Sequence, residues 1–221
     1  MLCAQANRAR KVGSVTIRNP VRALVIYCAA VLAWSAFKPH DYATWFFETF
    51  IGIGGVVALA LTQRRFRFSN LVYLLVAIHF TILAVGGKYT YALNPWFEWL
   101  KGALGLARNH FDRVGHFAQG FVPAIIAREL LLRTSGLKRG KWLAFLCIAT
   151  CLAISAFYEL IEWWAAALFY PANPAEWLGM QGDLWDAQED MFMALLGATC
   201  AILLLSRLHD RSMRKLEERG P

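Results

Sequence analysis

Three stretches of the sequence carry pairs of metal-ligating or titratable side chains at helical spacing. The pairs are Asp112 with His116, Glu159 with Glu162, and Asp186 with Asp190. Residues three or four positions apart lie on one face of a helix. Each pair would therefore present its two side chains together, as helical bundles do when they hold metal ions or general bases.

The middle pair lies in a stretch that is otherwise strongly apolar. Glu159 and Glu162 interrupt LAISAFYELIEWWAAALF, which covers residues 152–169. A carboxylate placed in hydrocarbon is costly and rare, and it is a functional-site hypothesis by default. A helix-packing hydrogen bond is the alternative explanation for either glutamate.

The elements that must position these pairs are apolar blocks of membrane-spanning length. Hydrophobic residues make up 58% of the 221-residue chain, compared with about 45–50% in soluble domains. A helix needs about 20 residues to cross the bilayer. The sequence therefore predicts an all-α, polytopic transmembrane bundle over 20–206, between a basic segment at 1–19 and a basic tail at 207–221. The six predicted spans are about 20–37, 44–62, 68–85, 113–132, 142–167 and 189–206.

The positive charge follows the connections between these blocks. Arginines and lysines concentrate in 1–19, 62–68, 133–141 and 207–221, whereas the alternate connections have few of them. The positive-inside rule then predicts a multi-pass protein of a bacterial inner membrane with both termini in the cytoplasm. Most of the net charge of +8 comes from these connections. This distribution excludes a nucleic-acid partner and favours membrane lipid as the partner.

One predicted outer connection, 86–112, contains a helix signal of its own. Asn94 is a suitable N-cap and Pro95 a suitable first residue, and Trp96, Trp99 and Leu100 follow at helical spacing. We expect a short amphipathic helix lying at the outer membrane interface.

On this topology, titratable residues from four segments share one depth, close to the outer face. We expect the inner half to be apolar, with Glu129 and Arg133 as a surface pair and His209 as a bystander in the tail. Beyond the three pairs, the residues that accompany the outer cluster are His79, His110, Arg108, Arg113, Tyr158 and Asp183.

Two explanations for this cluster remain open. In the first, a divalent metal such as zinc, iron or manganese is bound by Asp112, His116, Asp186 and Asp190, with Glu159 or Glu162 as a ligand or general base. In the second, there is no metal, and the arginines and histidines neutralise the acids. A network of this second kind would hold helix ends together or form part of a proton path.

These explanations lead to three functional hypotheses. The leading one is a membrane-embedded enzyme acting on lipid or a lipid-linked substrate, such as a metal-dependent hydrolase. The others are an ion- or proton-coupled transport protein and a structural or partner-binding membrane protein. Nucleotide-binding, serine-hydrolase and HExxH motifs are absent, so no such motif identifies a substrate. The oligomeric state stays open as well.

The three motifs RNHFDRVGHF, SAFYELIEWW and GDLWDAQEDM also resemble those of a known family. The sequence is similar to the uncharacterised bacterial inner-membrane proteins typified by YjdF of Escherichia coli. The resemblance extends from the second predicted span to the sixth. It implies a multi-span inner-membrane protein, and it implies no biochemical activity.

Overall fold

A computed structural model describes residues 19–169, 172 and 180–218, and within these ranges every regular element is helical. The predicted N-terminal segment before residue 19, most of the 170–179 connection and the last three residues lie outside the described part. The helices are α1 (Pro20–Ala36), α2 (Tyr42–Thr62), α3 (Asn70–Tyr89), α4 (Pro95–Leu104), α5 (Phe111–Thr134), α6 (Lys141–Phe169) and α7 (Asp186–Glu217), with a 3-10 turn at Tyr91–Leu93.

Local sequence signals determine where several helices begin. The side chains of Asn19, Asp41 and Asn94 each accept a hydrogen bond from a backbone N–H of the first turn of α1, α2 and α4. These caps satisfy donors that have no partner within the helix. The predicted cap of α4 is therefore present, and Gly105 ends that helix with φ +63°.

Short connections make α1 and α2, α2 and α3, and α5 and α6 antiparallel neighbours. The loop between α1 and α2 meets the end of α3, where the N–H of His40 donates to the carbonyl of Lys88 over 2.9 Å. We call this end of the bundle, which also holds the start of α5 and of α7, the cluster end. The opposite end, with Arg64 and Arg139 in its connections, is called the basic end.

The closest helix pair is α5 with α7. A Cβ atom added to Gly120 would lie 1.8 Å from the carbonyl oxygen of Ala194, and one added to Gly197 would lie 2.1 Å from that of Phe117. Ala198 and Ala201 continue the same face of α7 and are fully buried. Small residues at this spacing let helix backbones approach closely in a membrane, which brings the polar ends of both helices together.

Among the described residues, four helices are long and apolar enough to cross a membrane: α2, α3, α6 and α7. Many of their exposed side chains are apolar, such as Leu61 and Leu203, which are 77% and 76% exposed. Helix α1 is apolar but has 17 residues, and α5 is long enough but carries several charged residues. The spans predicted at α1 and α5 therefore stay predictions, as does the interfacial position of α4.

The basic end contains an ionic network that sequence analysis missed. Glu129 and His209 are fully buried, so the predicted pair of Glu129 with Arg133 is present but not at the surface, and the predicted place of His209 in a tail is wrong. Glu129 accepts hydrogen bonds from Arg133 (2.7 Å) and from the backbone N–H of Ser69 (2.8 Å). The error arose because α7 continues to Glu217, through most of the segment predicted as a tail, and packs His209 against α5.

Candidate functional site

Two arginines organise the cluster end. Arg113 contacts Asp190 and lies 2.9 Å from both Asp186 and Glu189, measured from guanidinium nitrogen to carboxylate oxygen. Arg108 donates to Asp186 and, over 3.1 Å, to Asp183. Both arginines are buried. Each guanidinium contacts several carboxylates, and charge-assisted contacts of this kind are strong, so they hold the start of α5 against the start of α7.

Asp183 belongs to the loop before α7 and is the most water-accessible member of this network apart from Glu189. Its carboxylate accepts a hydrogen bond from the backbone N–H of Trp185 over 2.9 Å. This bond, together with Arg108 and Arg113, lowers the pKa of Asp183 below its ordinary value. Asp183 is therefore an ionised anchor for the arginines.

Below the arginines, three side chains converge on one point. Ligand atoms of Asp112, His116 and Asp190 all lie within 4.8 Å of one another. The Nε2 atom of His116 is 3.5 Å from Asp112 and 3.7 Å from Asp190. His116 and Asp190 are buried, with exposures of 6% and 2%. Two carboxylates and an imidazole form a donor set suited to a divalent transition metal.

The other nitrogen of His116 has a different partner. Nδ1 lies 2.9 Å from the side-chain oxygen of Gln119. Because an amide oxygen only accepts, Nδ1 carries a proton, and Nε2 faces the two aspartates with either a second proton or its lone pair. A lone pair facing two carboxylates is repulsive unless a proton or a metal ion lies between them. The same arrangement, with one ring N–H bonded to an oxygen acceptor, is usual for metal-bound histidine.

A cavity of about 240 Å³, with titratable groups set in a largely apolar wall, adjoins this group and lies between α2, α3, α5 and α6. Asp112 and His116 form part of its wall, and Glu162 and Tyr158 face it from α6. The ring of Tyr158 stands edge-on to His116, with centroids 6.1 Å apart. This cavity, which we call the polar cavity, gives the cluster room for a small molecule or for the head group of a larger one.

Glu159 lies on the same helix but outside this lining. Its Oε1 atom is 3.7 Å from Nδ1 of His116, and it is buried without a hydrogen-bond partner among the described residues. A buried polar atom in this state is uncommon and calls for an explanation such as a proton, water or ion.

Two residues of the polar cavity were missed by sequence reasoning: Glu48 of α2 and Tyr91 of the 3-10 turn. The signal for Glu48 was present, since it is an ionisable residue inside the apolar block TWFFETF at the depth of the other acids. Tyr91 had no such signal. Its ring packs so closely on Gly115 that an added Cβ would lie 2.7 Å away.

An amide network positions the start of α5. The side chain of Gln181 accepts from the backbone N–H of Asn109 (2.9 Å) and donates to its carbonyl (3.0 Å). The side chain of Asn109 in turn donates to the carbonyl of Asn94. These bonds join the loop before α7, the start of α5 and the start of α4, next to Arg108.

The predicted site residues are thus brought together in part. Asp112, His116 and Asp190 form one group, whereas Asp186, predicted as a fourth ligand, pairs with the two arginines. His79 lines the polar cavity, and its Nε2 is buried without a hydrogen-bond partner among the described residues. His110 occupies the N-cap position of α5 without making a side-chain cap, and no contact joins it to the cluster within the described residues.

Long apolar helices around a buried histidine–carboxylate cluster define a polytopic membrane protein. The model of the family described as Predicted membrane protein (DUF2238) matches residues 20–211. The chain is also 46% identical to Inner membrane protein YjdF of Escherichia coli (strain K12) over 185 residues, which cover 84% of this chain and 88% of that protein.

The chain therefore belongs to the DUF2238 family and is an inner-membrane protein with multiple transmembrane helices. The resemblance read from the three motifs is confirmed. No solved structure matches the chain.

Proposed function

We propose that this protein is a membrane-embedded, metal-dependent hydrolase acting on a lipid or lipid-linked substrate. The observation that carries the proposal is the convergence of Asp112, His116 and Asp190 within 4.8 Å, beside the polar cavity. Three protein ligands with one position left open is the usual arrangement of a catalytic metal site.

The charge balance of the cluster supports a bound cation. Five carboxylates lie within 4 Å of a guanidinium nitrogen of Arg108 or Arg113. Glu48, Glu159 and Glu162 add three more acids around the cavity and His116. Two arginines and one histidine leave an excess of negative charge, and close carboxylates must share protons or bind a cation.

The residues divide into roles on this proposal. Asp112, His116 and Asp190 would hold a zinc, iron or manganese ion, and Gln119 would orient His116. Such an ion supplies Lewis-acid activation of water or of a substrate oxygen. Glu162, which faces the cavity, would accept a proton from water as general base, and Tyr158 would hydrogen-bond the substrate.

The surroundings of the cavity favour a closed site over a transport path. On α5, the polar cluster ends at Gln119 and the network of the basic end begins at Arg128, nine residues or about 13 Å along the axis. Val122, Ala124 and Ile125 fill this interval and are buried. No titratable side chain of α5 bridges this interval in the described structure, which disfavours a relay of protons or ions between the two networks.

Metal content of the purified protein tests the proposal. We expect a stoichiometric divalent metal in the wild type and its loss in His116→Ala and Asp190→Asn. The matched control is His110→Ala, which removes a histidine at the same end of the bundle but away from the group. Absence of metal after reconstitution with zinc, iron or manganese, or equal retention in His116→Ala and His110→Ala, would exclude the metal site.

A further inference from the structure

A second cavity continues from the polar one along the bundle. It has a volume of about 460 Å³ and lies between α2, α3 and α5. We call it the apolar groove. It shares Ile51, His79, Leu83 and Pro123 with the polar cavity. We propose that the apolar groove binds one alkyl chain of the substrate, whose polar head occupies the polar cavity. That this amphiphile is a substrate rests on the function proposed above.

Apart from the shared His79, the titratable side chains lie on one side of the residues that the two cavities have in common. On the polar side the wall carries Glu48, Asp112 and Glu162. Beyond His79 the remaining lining is apolar except for the hydroxyl of Thr62, with Phe80, Val122 and Ile126 among its members. An amphiphile with a polar head and a hydrocarbon chain matches this division, because each part meets surroundings of its own kind.

The groove occupies about half of the length of the bundle. Along α2 the lining runs from Ile51, near the middle of the helix, to its last residue, Thr62. This is eleven residues or roughly 16 Å at 1.5 Å per residue, compared with about 30 Å for the hydrocarbon core of a bilayer. The groove therefore extends from the polar cavity toward the basic end, along α2 and α3, which are both of membrane-crossing length and hydropathy.

Small residues on α2 create the space. A Cβ atom added to Gly55 would meet no atom within 4 Å, although Gly55 lines the groove. Ala58 lines it one turn further on. The neighbouring Gly54 has equally open surroundings but does not line the groove, because consecutive residues point about 100° apart around a helix.

The junction between the two cavities carries polar groups suited to a head group. Pro123 has no N–H, so the backbone carbonyl of Gln119, four residues earlier, lacks its helical hydrogen-bond donor. His79 also presents a buried Nε2 without a hydrogen-bond partner among the described residues. Both lie at the junction, where the polar part of an amphiphile would meet its chain.

The test uses photo-cross-linking in proteoliposomes of phosphatidylethanolamine and phosphatidylglycerol. The probe is phosphatidylethanolamine with a diazirine in one acyl chain, and labelled peptides are located by mass spectrometry. We expect stronger labelling at Val76 and Ile126, which line the groove and are only partly exposed, than at Ile78, which is 49% exposed on the outer face of α3.

Paired substitutions make the result specific. Gly55→Leu should lower labelling at Val76 and Ile126 about tenfold, as expected when roughly two methylene groups lose their apolar site. Gly54→Leu, an equal change on the same helix, should leave it unchanged. Ala58→Phe provides a second obstruction if Gly55→Leu does not fold. Labelling that is insensitive to both obstructions, or no stronger than at Ile78, would show contact with bulk lipid only and overturn the inference.

The two proposals fail in different ways. His116→Ala removes a proposed metal ligand but leaves the apolar groove intact, so groove labelling should persist in that variant. Metal absence with labelling that Gly55→Leu abolishes would refute the hydrolase and retain the chain site. Bound metal with labelling that Gly55→Leu does not change would refute the chain site alone.

Discussion

Glu159 and Glu162 illustrate how three residues of separation on one helix can give two different environments. Glu159 approaches Nδ1 of His116 at 3.7 Å and keeps one oxygen buried without a hydrogen bond among the described residues. Glu162 faces the polar cavity. No ion pair joins either of them to Arg113 within the described part of the chain. Glu159 is therefore accommodated in its apolar helix beside His116, and Glu162 is accommodated by the polar cavity.

Arg113 is the residue with the most charged partners in the cluster. In Arg113→Ala the buried carboxylates of Asp186 and Asp190 would lose it as a partner. Removing one member of a buried pair costs about 3–5 kcal/mol, because the remaining charge is uncompensated. We expect a loss of this size in the free energy of unfolding, measured by denaturation in mixed detergent micelles.

The control for Arg113→Ala is Glu189→Ala, which removes one of its partners at a position that is 53% exposed. Exposed ion pairs contribute about 0–1 kcal/mol, so the second variant should remain close to wild type. Comparable losses of unfolding free energy in the two variants would contradict the expectation that the buried ion pairs contribute most of the stability of this network.

At the scale of elements, α5 joins the two polar ends and packs against α3, α6 and α7. It carries Asp112 and His116 near its start and Arg128 and Glu129 near its end. Its separation from α7 is determined by Gly120 and Gly197, which leave no room for a side chain. The distance from His116 to Asp190 therefore depends on glycines one turn or more below the site.

Gly120→Ala tests this dependence. The new Cβ would lie 1.8 Å from the carbonyl oxygen of Ala194, so α5 and α7 must move apart. Overpacking of a close interface typically costs about 1–3 kcal/mol, and we expect unfolding in detergent to show at least this loss.

Gly54→Ala is the matched control, because it makes the same substitution within a helix but without a close contact. Its Cβ meets nothing within 4 Å, and alanine is favoured over glycine in a helix interior by about 1 kcal/mol. This variant should therefore be as stable as wild type or more stable. If Gly120→Ala behaved in the same way, the α5–α7 contact would not be close.

At the scale of the whole molecule, two polar ends flank an apolar middle. At the basic end, Arg128 donates to Nδ1 of His209 over 2.9 Å. Because an arginine only donates, Nδ1 is unprotonated, and Nε2 donates to Glu129 over 2.9 Å. Arg128 also contacts Asp210 at 2.8 Å. This network joins α5 to the extension of α7, as the arginine network does at the opposite end.

The orientation of the molecule in the membrane is a prediction that is open to direct measurement. The positive-inside rule predicts that the basic end lies in the cytoplasm and that the polar cavity faces the periplasmic leaflet. Leu184→Cys at the cluster end, where the side chain is 84% exposed, should react with a membrane-impermeant maleimide in cells with a permeabilised outer membrane.

Gly140→Cys serves as the opposite probe. It lies in the exposed connection before α6, and an added Cβ meets no atom within 4 Å. It should react only after the inner membrane is disrupted. The reverse pattern would invert the topology and place the cavity at the cytoplasmic leaflet.

The sequence by itself determined the helical elements and the residues that share a face of each helix. This followed from the helical period, which is a local property: Asp112 with His116 could be paired from spacing alone, and the common depth of the acids from the order of the apolar blocks. Only tertiary structure decided that Asp190 joins His116 while Asp186 pairs with arginines, that Glu48 and Tyr91 enter the cavity, and that Glu129 and His209 are buried. Those outcomes depend on how far apart the helices lie and how they are rotated about their axes. Contacts between residues distant in sequence, such as Gly120 with Ala194, set both quantities, and no local pattern encodes them.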